Sequence, residues 1–336
     1  MKRIILIFLL GLLSLVLLLA AAAGGAWHWA NKPLSVEPNK VEIVIASGGT
    51  PRSVVRQLNE AGVSLNEDAF VWLARLSGLD KRFKAGAYEV SPSDTPLRLA
   101  QRIADGDVTL RRLTLVEGWS YRQIRAALAA QSDIRQTLEG VDDAQLMERL
   151  GSEFSHPEGL FFPDTYTFAP GTTDFEILKQ AYQAQLRRLD EAWQARDKEL
   201  PVKTPYELLV LASIVEKETG HHEDRAAVSG VFANRLRIGM PLQTDPTVIY
   251  GMGERYQGRI RKRDLQTDTP WNTYTRNGLP PTPIASPGRA ALMAAAQPGT
   301  HKYLYFVSRG DGTSEFAQNL QQHNRNVSRF ILGRNP

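Results

Sequence analysis

Behind the basic pair Lys2-Arg3 the chain opens on an unbroken uncharged run from Ile4 to Trp27, dominated by Leu, Ile, Val and Ala. A helix of about 20 apolar residues matches a hydrocarbon core roughly 30 Å thick, and Trp27 and Trp29 stand where an aromatic belt meets the interface. The pattern predicts a cytoplasmic stub over residues 1–3, a transmembrane anchor over 4–27 and a polar tether over 28–40. A cleaved signal peptide is the competing reading, since Ala20 to Gly25 are small, but an h-region is usually about 7–15 residues and this run is longer. On either reading everything after Asn31 lies across the membrane.

Val41, Ile43 and Ile45 then alternate with Glu42 and Val44, which predicts a strand running into the turn Ser47-Gly48-Gly49. Thr50-Pro51 supplies an N-cap with proline at the first helical position, Val54, Val55 and Leu58 an apolar face, and Gly62 a stop. The same phrase returns about 45 residues later: Thr95-Pro96 opens a helix carrying Leu99 and Ile103, closed by Gly106. Neither strand–turn–helix unit can bury its own apolar side. The two are therefore expected to pack together, with a Phe70–Leu79 helix between them and a strand ending at Val90, as a small α+β module over 41–111.

A second, larger mixed α+β domain is predicted over 112–336. It starts with a strand at Leu113–Val116 and continues through helices over 174–198, 205–219 and 224–238. After Met240 the chain turns rich in Thr, Pro, Asn and Gly, and Tyr303–Val307 predicts a buried strand. Long irregular stretches in a compact domain are usually functional.

Composition narrows the chemistry. With 43% hydrophobic and 23% charged residues the 336-residue chain is an ordinary globular one, and its zero cysteines exclude disulfides, thiolate metal sites, iron–sulfur clusters and a cysteine nucleophile. Its 40 basic and 36 acidic residues sum to +4 and are spread along the chain, so no nucleic-acid partner is expected. His221-His222-Glu223-Asp224 lacks metal-binding spacing, and there is no P-loop or nucleophile elbow. No metal and no cofactor are expected, and His323-Asn324 is read as structural.

Two polar runs remain, Gln243–Gly251 and Trp271–Tyr274 leading to Gly278–Pro281. Amide, hydroxyl and aromatic groups together suit a sugar site; the alternative is ordinary turn chemistry. In the helix before them, Glu216 and Glu218 both fall on the boundary between apolar and polar faces, at about 100° per residue. A carboxyl so placed has its pKa raised by desolvation, as a general acid requires; a solvated helix end with Glu/Lys pairing is the alternative. The wheel does not choose between the two glutamates. Diverging by roughly 160°, they cannot form a hydrolase pair, whose carboxyls face each other across about 5–10 Å.

The succession Glu158–Tyr166, Ala212–Thr219, Phe232–Leu236, Leu242–Gly251, Asn272-Thr273-Tyr274 and Gly278–Pro281 with Pro283-Ile284 closely resembles the MltG (YceG-like) endolytic murein transglycosylases. The resemblance covers nearly the whole chain. It implies a single-span protein of the inner membrane, a LysM-like module facing the periplasm, and a catalytic domain that cleaves peptidoglycan strands internally without water. It places the essential glutamate at Glu218, with Asn234, Gln243, Asp245, Tyr250 and Asn272 as candidates for orienting the sugar. Peptidoglycan strands are the implied substrate, shortened or terminated as they grow, and peptidoglycan synthases (penicillin-binding proteins) the implied partners. A water-using muramidase or glucosaminidase, or a tethered glycan-binding scaffold, are the alternatives.

Overall fold

The apolar run forms one helix, α1 (Lys2–Ala30). The computed structural model describes residues 2–46 and 48–333, without the side chains of Lys2 and Arg3. Met1, Ser47 of the expected turn, and residues 334–336 at the end of the expected second domain lie outside them. Large side chains between Ile4 and Leu19 are 48–73% exposed on every side of α1. A helix apolar all round must be covered by protein or lipid, and the stretch Ile4–Ala30 is long and apolar enough to cross a membrane. Its end is not a free tether: Ala30 is buried, Trp29 packs on the core that follows, and Leu34 and Val36 belong to that core. The polar residues around them hid these two apolar anchors in the composition.

Two compact units follow from the contacts, Met1–Arg111 with Thr167–Gly171, and Arg112–Tyr166 with Thr172–Pro336. In the first, β1 (Val41–Ile45) pairs antiparallel with β2 (Gly86–Val90), in register from Val41↔Val90 to Ile45↔Gly86. Between them run α2 (Pro51–Glu60) and α3 (Glu67–Leu76), and α4 (Pro96–Asp105) follows. Alternation buries Val41, Ile43 and Ile45 against Val54, Val55 and Leu58 of α2, Phe70 of α3, and Leu99 and Ile103 of α4. The repeated Thr-Pro phrase works as its chemistry demands: the Thr50 and Thr95 hydroxyls accept the Ser53 and Arg98 N–H, and each proline occupies the first turn. Gly106 closes α4 in the left-handed conformation at φ 77°.

The second unit holds β3 (Arg111–Thr114) from Arg112 onward, α5 (Tyr121–Ala129), α6 (Asp143–Arg149), the first two residues of β4 (Thr165–Phe168), α7 (Asp174–Gln194), α8 (Pro205–Glu218), α9 (Arg225–Arg237), α10 (Asp245–Met252), α11 (Lys262–Gln266), α12 (Arg289–Ala296), β5 (Tyr305–Ser308), β6 (Ser314–Ala317) and α13 (Leu320–Phe330). Its axis is α8, in which every residue from Leu208 to Val215 is buried beneath α7, α9, α10 and α12. The one polar side chain in that stretch is satisfied: the Ser213 hydroxyl donates to the Val210 carbonyl at 2.7 Å and accepts the Ile284 N–H at 3.0 Å.

Two expectations need correction here. The polar run from Gln243 is not loop throughout, because Asp245–Met252 is helical with Pro246 in its first turn. The strand expected to be buried, β5, is only partly covered along its length and forms a two-stranded hairpin with β6. A two-stranded sheet has one face to bury, and here Phe306 turns edge-on to Phe232 at 5.9 Å.

Leu211, fully buried in α8, and Leu186 of α7, 36% exposed, give a direct check of this axis. Leu211→Ala is expected to cost about 2–5 kcal/mol in urea unfolding of the detergent-solubilised protein, and Leu186→Ala less than about 1 kcal/mol.

Candidate active site

The buried stretch of α8 ends at its last turn, where Glu216 and Glu218 are half-buried and Lys217 is exposed. A helix C-terminus disfavours negative charge, and burial adds to that: desolvation raises the pKa of both glutamates above the ordinary carboxylate range. Their partners differ. Glu216 Oε2 accepts the N–H of Gly288 at 2.9 Å, the residue that opens α12. Gly288 has no side chain to cap its own helix, so Glu216 fastens one helix start to another helix end. Glu218 instead accepts a very short hydrogen bond on Oε1 from the Thr244 hydroxyl.

Thr244 stands at the N-cap of α10, yet its hydroxyl makes no capping bond. The backbone around it is fixed from below, so that this hydroxyl points at Glu218. The Gln243 N–H donates to the Thr273 carbonyl at 3.1 Å, and the Thr244 N–H to the Thr273 hydroxyl at 3.1 Å. The Thr247 hydroxyl lies 2.7 Å from the Thr244 carbonyl and 2.9 Å from the Thr273 hydroxyl. All three threonines are buried. Between them Gln243 adopts φ 49°, a left-handed conformation uncommon outside glycine, which such a network must hold.

Glu218 opens onto a cleft of about 390 Å³ shared with Arg235, Gln243, Asp245, Tyr274, Tyr305 and His323. The Tyr274 hydroxyl donates to Asp245 Oδ1 at 2.6 Å, and the charge of Asp245 further raises the Glu218 pKa against the lowering effect of the Thr244 bond. Arg235 builds the wall: its guanidinium donates to the carbonyls of Leu304 at 2.7 Å and Leu242 at 2.6 Å, 5.2 Å from the Tyr305 ring centre. His323 stacks on the other partner of that wall, Tyr305, at 5.2 Å. Burial lowers its pKa.

Of the residues singled out in the sequence, Glu218, Gln243 and Asp245 come together. Asn234 and Asn272 do not line the cleft. The Asn234 amide donates to the His301 and Tyr303 carbonyls at 2.8 and 3.0 Å. Fully buried Asn272 donates to the Thr267 carbonyl at 2.7 Å and accepts the Tyr274 N–H at 2.9 Å. In both, the amide nitrogen is spent on backbone carbonyls. Tyr250 lines a neighbouring groove of about 660 Å³ with Tyr256, Trp271 and Lys217, packed edge-on to Trp271 at 5.3 Å. Thr244, Arg235 and Tyr274 carried no separate expectation, and His323, read as structural, lines the cleft as well. The Thr-Asp-Pro helix start at 244–246 was the available signal for the first of them.

A further carboxyl supports the site from behind. Glu158 is 3% exposed, accepts the Tyr121 N–H at 2.9 Å and bonds the Tyr250 side chain. Desolvation raises its pKa to about 7. Among the described residues no group of three or more His, Asp or Glu side chains is arranged to hold a metal ion.

Comparison with known proteins places this geometry. The model of the YceG-like family matches residues 43–329. The chain belongs to the YceG-like family. Among curated relatives, the endolytic murein transglycosylase of Bacillus subtilis is 32% identical over 93% of this chain and 92% of its own. That of Streptococcus pneumoniae is 28% identical over 95% of this chain, which spans 64% of that longer protein. A crystal structure of a YceG-like protein from Listeria monocytogenes superposes with a TM-score of 0.56 at 29% identity, covering 85% of this chain and 98% of that one.

The Glu158 carboxyl of this YceG-like chain generates a stability prediction. A carboxyl whose folded pKa lies above its unfolded one binds its proton more tightly when folded, so stability falls as pH rises from about 4.5 to about 7. Glu158→Gln is expected to flatten the fall of Tm between pH 5 and pH 8, relieving up to about 3 kcal/mol at the upper end.

Proposed function

We propose that this chain is a membrane-anchored endolytic lytic transglycosylase that cleaves peptidoglycan between N-acetylmuramic acid and N-acetylglucosamine and leaves 1,6-anhydro ends. The observation that carries the reading is Glu218: it lines the cleft, burial and helix position favour its protonated form, and Thr244 bonds Oε1, leaving Oε2 as the proposed proton carrier. Oε2–H donates to the glycosidic oxygen, the C1–O bond breaks, and positive charge develops at C1 of the muramic acid. The Glu218 carboxylate then takes the proton from the C6 hydroxyl, whose oxygen closes on C1. The acid is regenerated and no water is consumed.

A hydrolase would place a second carboxylate across the bond to activate water. Asp245 shares the cleft, but its Oδ1 already accepts the Tyr274 hydroxyl at 2.6 Å. That arrangement favours the non-hydrolytic route, with Gln243 and Asp245 positioned to orient the sugar. The adjoining groove of Tyr250, Tyr256 and Trp271 offers aromatic faces for sugars further along the strand, as an internal cut requires. The β1–α2–α3–β2 order of the first unit supports its reading as a LysM-like module. The helix α1 supports single-span anchoring in the inner membrane with the units outside it, where strands leave the synthases and can be terminated.

Glu218→Gln is expected to lower formation of anhydro ends by about 10²–10⁴-fold with the fold intact, while Glu216→Gln retains activity. Mass spectrometry of digested sacculi reads this, because an anhydro end is one water lighter than a reducing end. Reducing ends from the wild-type enzyme support the hydrolase instead. A second check concerns pH: Thr244→Val removes the hydrogen bond that favours the Glu218 carboxylate, so the alkaline limb of kcat/KM moves to higher pH, and Thr244→Ser leaves it in place.

A further inference from the structure

Past the C-terminal end of α10 the chain concentrates positive charge in a way its overall balance conceals. Arg255, Arg259, Arg261 and Arg263 line one pocket of about 330 Å³, floored by Val248 and Met252 of α10. Four arginines on one pocket repel one another, and the nearby carboxylates offset their charge only in part. Asp264, the one acid in the lining, accepts the backbone N–H of Arg261 at 2.7 Å and stands 3.6 Å from Arg263 Nε. Glu254 turns away to Arg122 at 3.1 Å. Among the described residues the Arg259 and Arg261 side chains make no ion pair. The pocket also holds Thr269, whose hydroxyl oxygen is buried without a hydrogen-bond partner. Unpaired guanidinium forks beside an unpartnered hydroxyl fit an oxyanion.

We propose that this pocket binds the carboxylates of the peptide stems on the glycan substrate, an inference that rests on the function proposed above. The sugar chain itself presents neutral hydroxyl and acetamido groups, and the peptides on the lactyl groups of its muramic acids carry the negative charge. Helix α10 sets the reach. Asp245 at its start lines the Glu218 cleft and Met252 at its end lines the arginine pocket, a rise of about 10 Å. An extended peptide of four or five residues spans up to about 15 Å. A stem attached next to the scissile bond therefore reaches the arginines, and the enzyme distinguishes stem-bearing strands from denuded ones.

The test uses the full-length protein in detergent and two strand preparations, one with intact stems and one stripped of them by an amidase. Converting Arg259, Arg261 and Arg263 together to Gln is expected to lower kcat/KM on stem-bearing strands by about tenfold or more, mainly through KM. On denuded strands the variant matches wild type, which also shows that it is folded. Conversion of the three to Lys restores part of the loss, since charge returns without the bidentate fork. Equal loss on both substrates, or no loss on either, overturns the proposal. So does a defect that follows a lipid diphosphate at the strand end, compared between lipid-linked and released strands, rather than the peptides. Failure of the wild-type enzyme to form anhydro ends on any strand is a separate outcome and sinks the underlying function, not this pocket alone.

Discussion

The hydrogen bond from Thr244 to Glu218 is the contact on which the rest of the cleft depends. It joins the last residue of one helix to the residue before the first turn of another, so the acid is placed by two elements rather than by its own rotamer. Each end contributes something the other cannot. Helix α8 supplies burial and an unfavourable environment for negative charge, which raise the pKa of the carboxyl. The start of α10 supplies a hydroxyl aimed by buried Thr247 and Thr273. A cap hydroxyl diverted from its own helix forgoes about 1 kcal/mol of capping, and the strained φ of Gln243 adds a comparable cost. The surrounding network of buried, mutually satisfied threonines makes that geometry persist.

The same last turn of α8 shows how two chemically identical side chains acquire different work. Both glutamates have raised pKa values, and burial is the first cause in each case. Perturbation alone therefore does not distinguish them. What separates them is the partner. A backbone N–H at a helix start makes Glu216 a structural link to α12. A hydroxyl partner leaves Glu218 lining the cleft. Glu158 is a third case, a buried carboxyl committed to a backbone N–H and to Tyr250, which fixes the far side of α10.

Helix α10 then acts as the ruler of the binding surface. Its start touches the acid, its flank carries Tyr250 beside Trp271, and its end meets the arginine pocket. A short helix is a better spacer than a loop, because its rise per residue is fixed and its two flanks are presented at set angles. The proposed substrate, with neutral sugars along its axis and charged peptides at its side, matches that division into a hydroxyl- and aromatic-lined groove and a cationic pocket.

Much of this was legible in the residues themselves. Repeating Thr-Pro starts and period-two alternation specified β1, α2 and α4, since caps and pleats act over a few residues. The apolar run specified α1, and the wheel put Glu216 and Glu218 at the edge of a buried helix. The order of motifs carried the family. Turn-like composition concealed the helix from Asp245 and made Asn234 and Asn272 look like ligands, although their amides serve backbone carbonyls distant in the chain or buried in a turn. The sequence by itself determined which side chains can carry a proton, a charge or an aromatic face. Only the tertiary structure decided which glutamate faces the cleft and that four arginines share one pocket, because burial, desolvation and hydrogen-bond partners are properties of what lies across the fold.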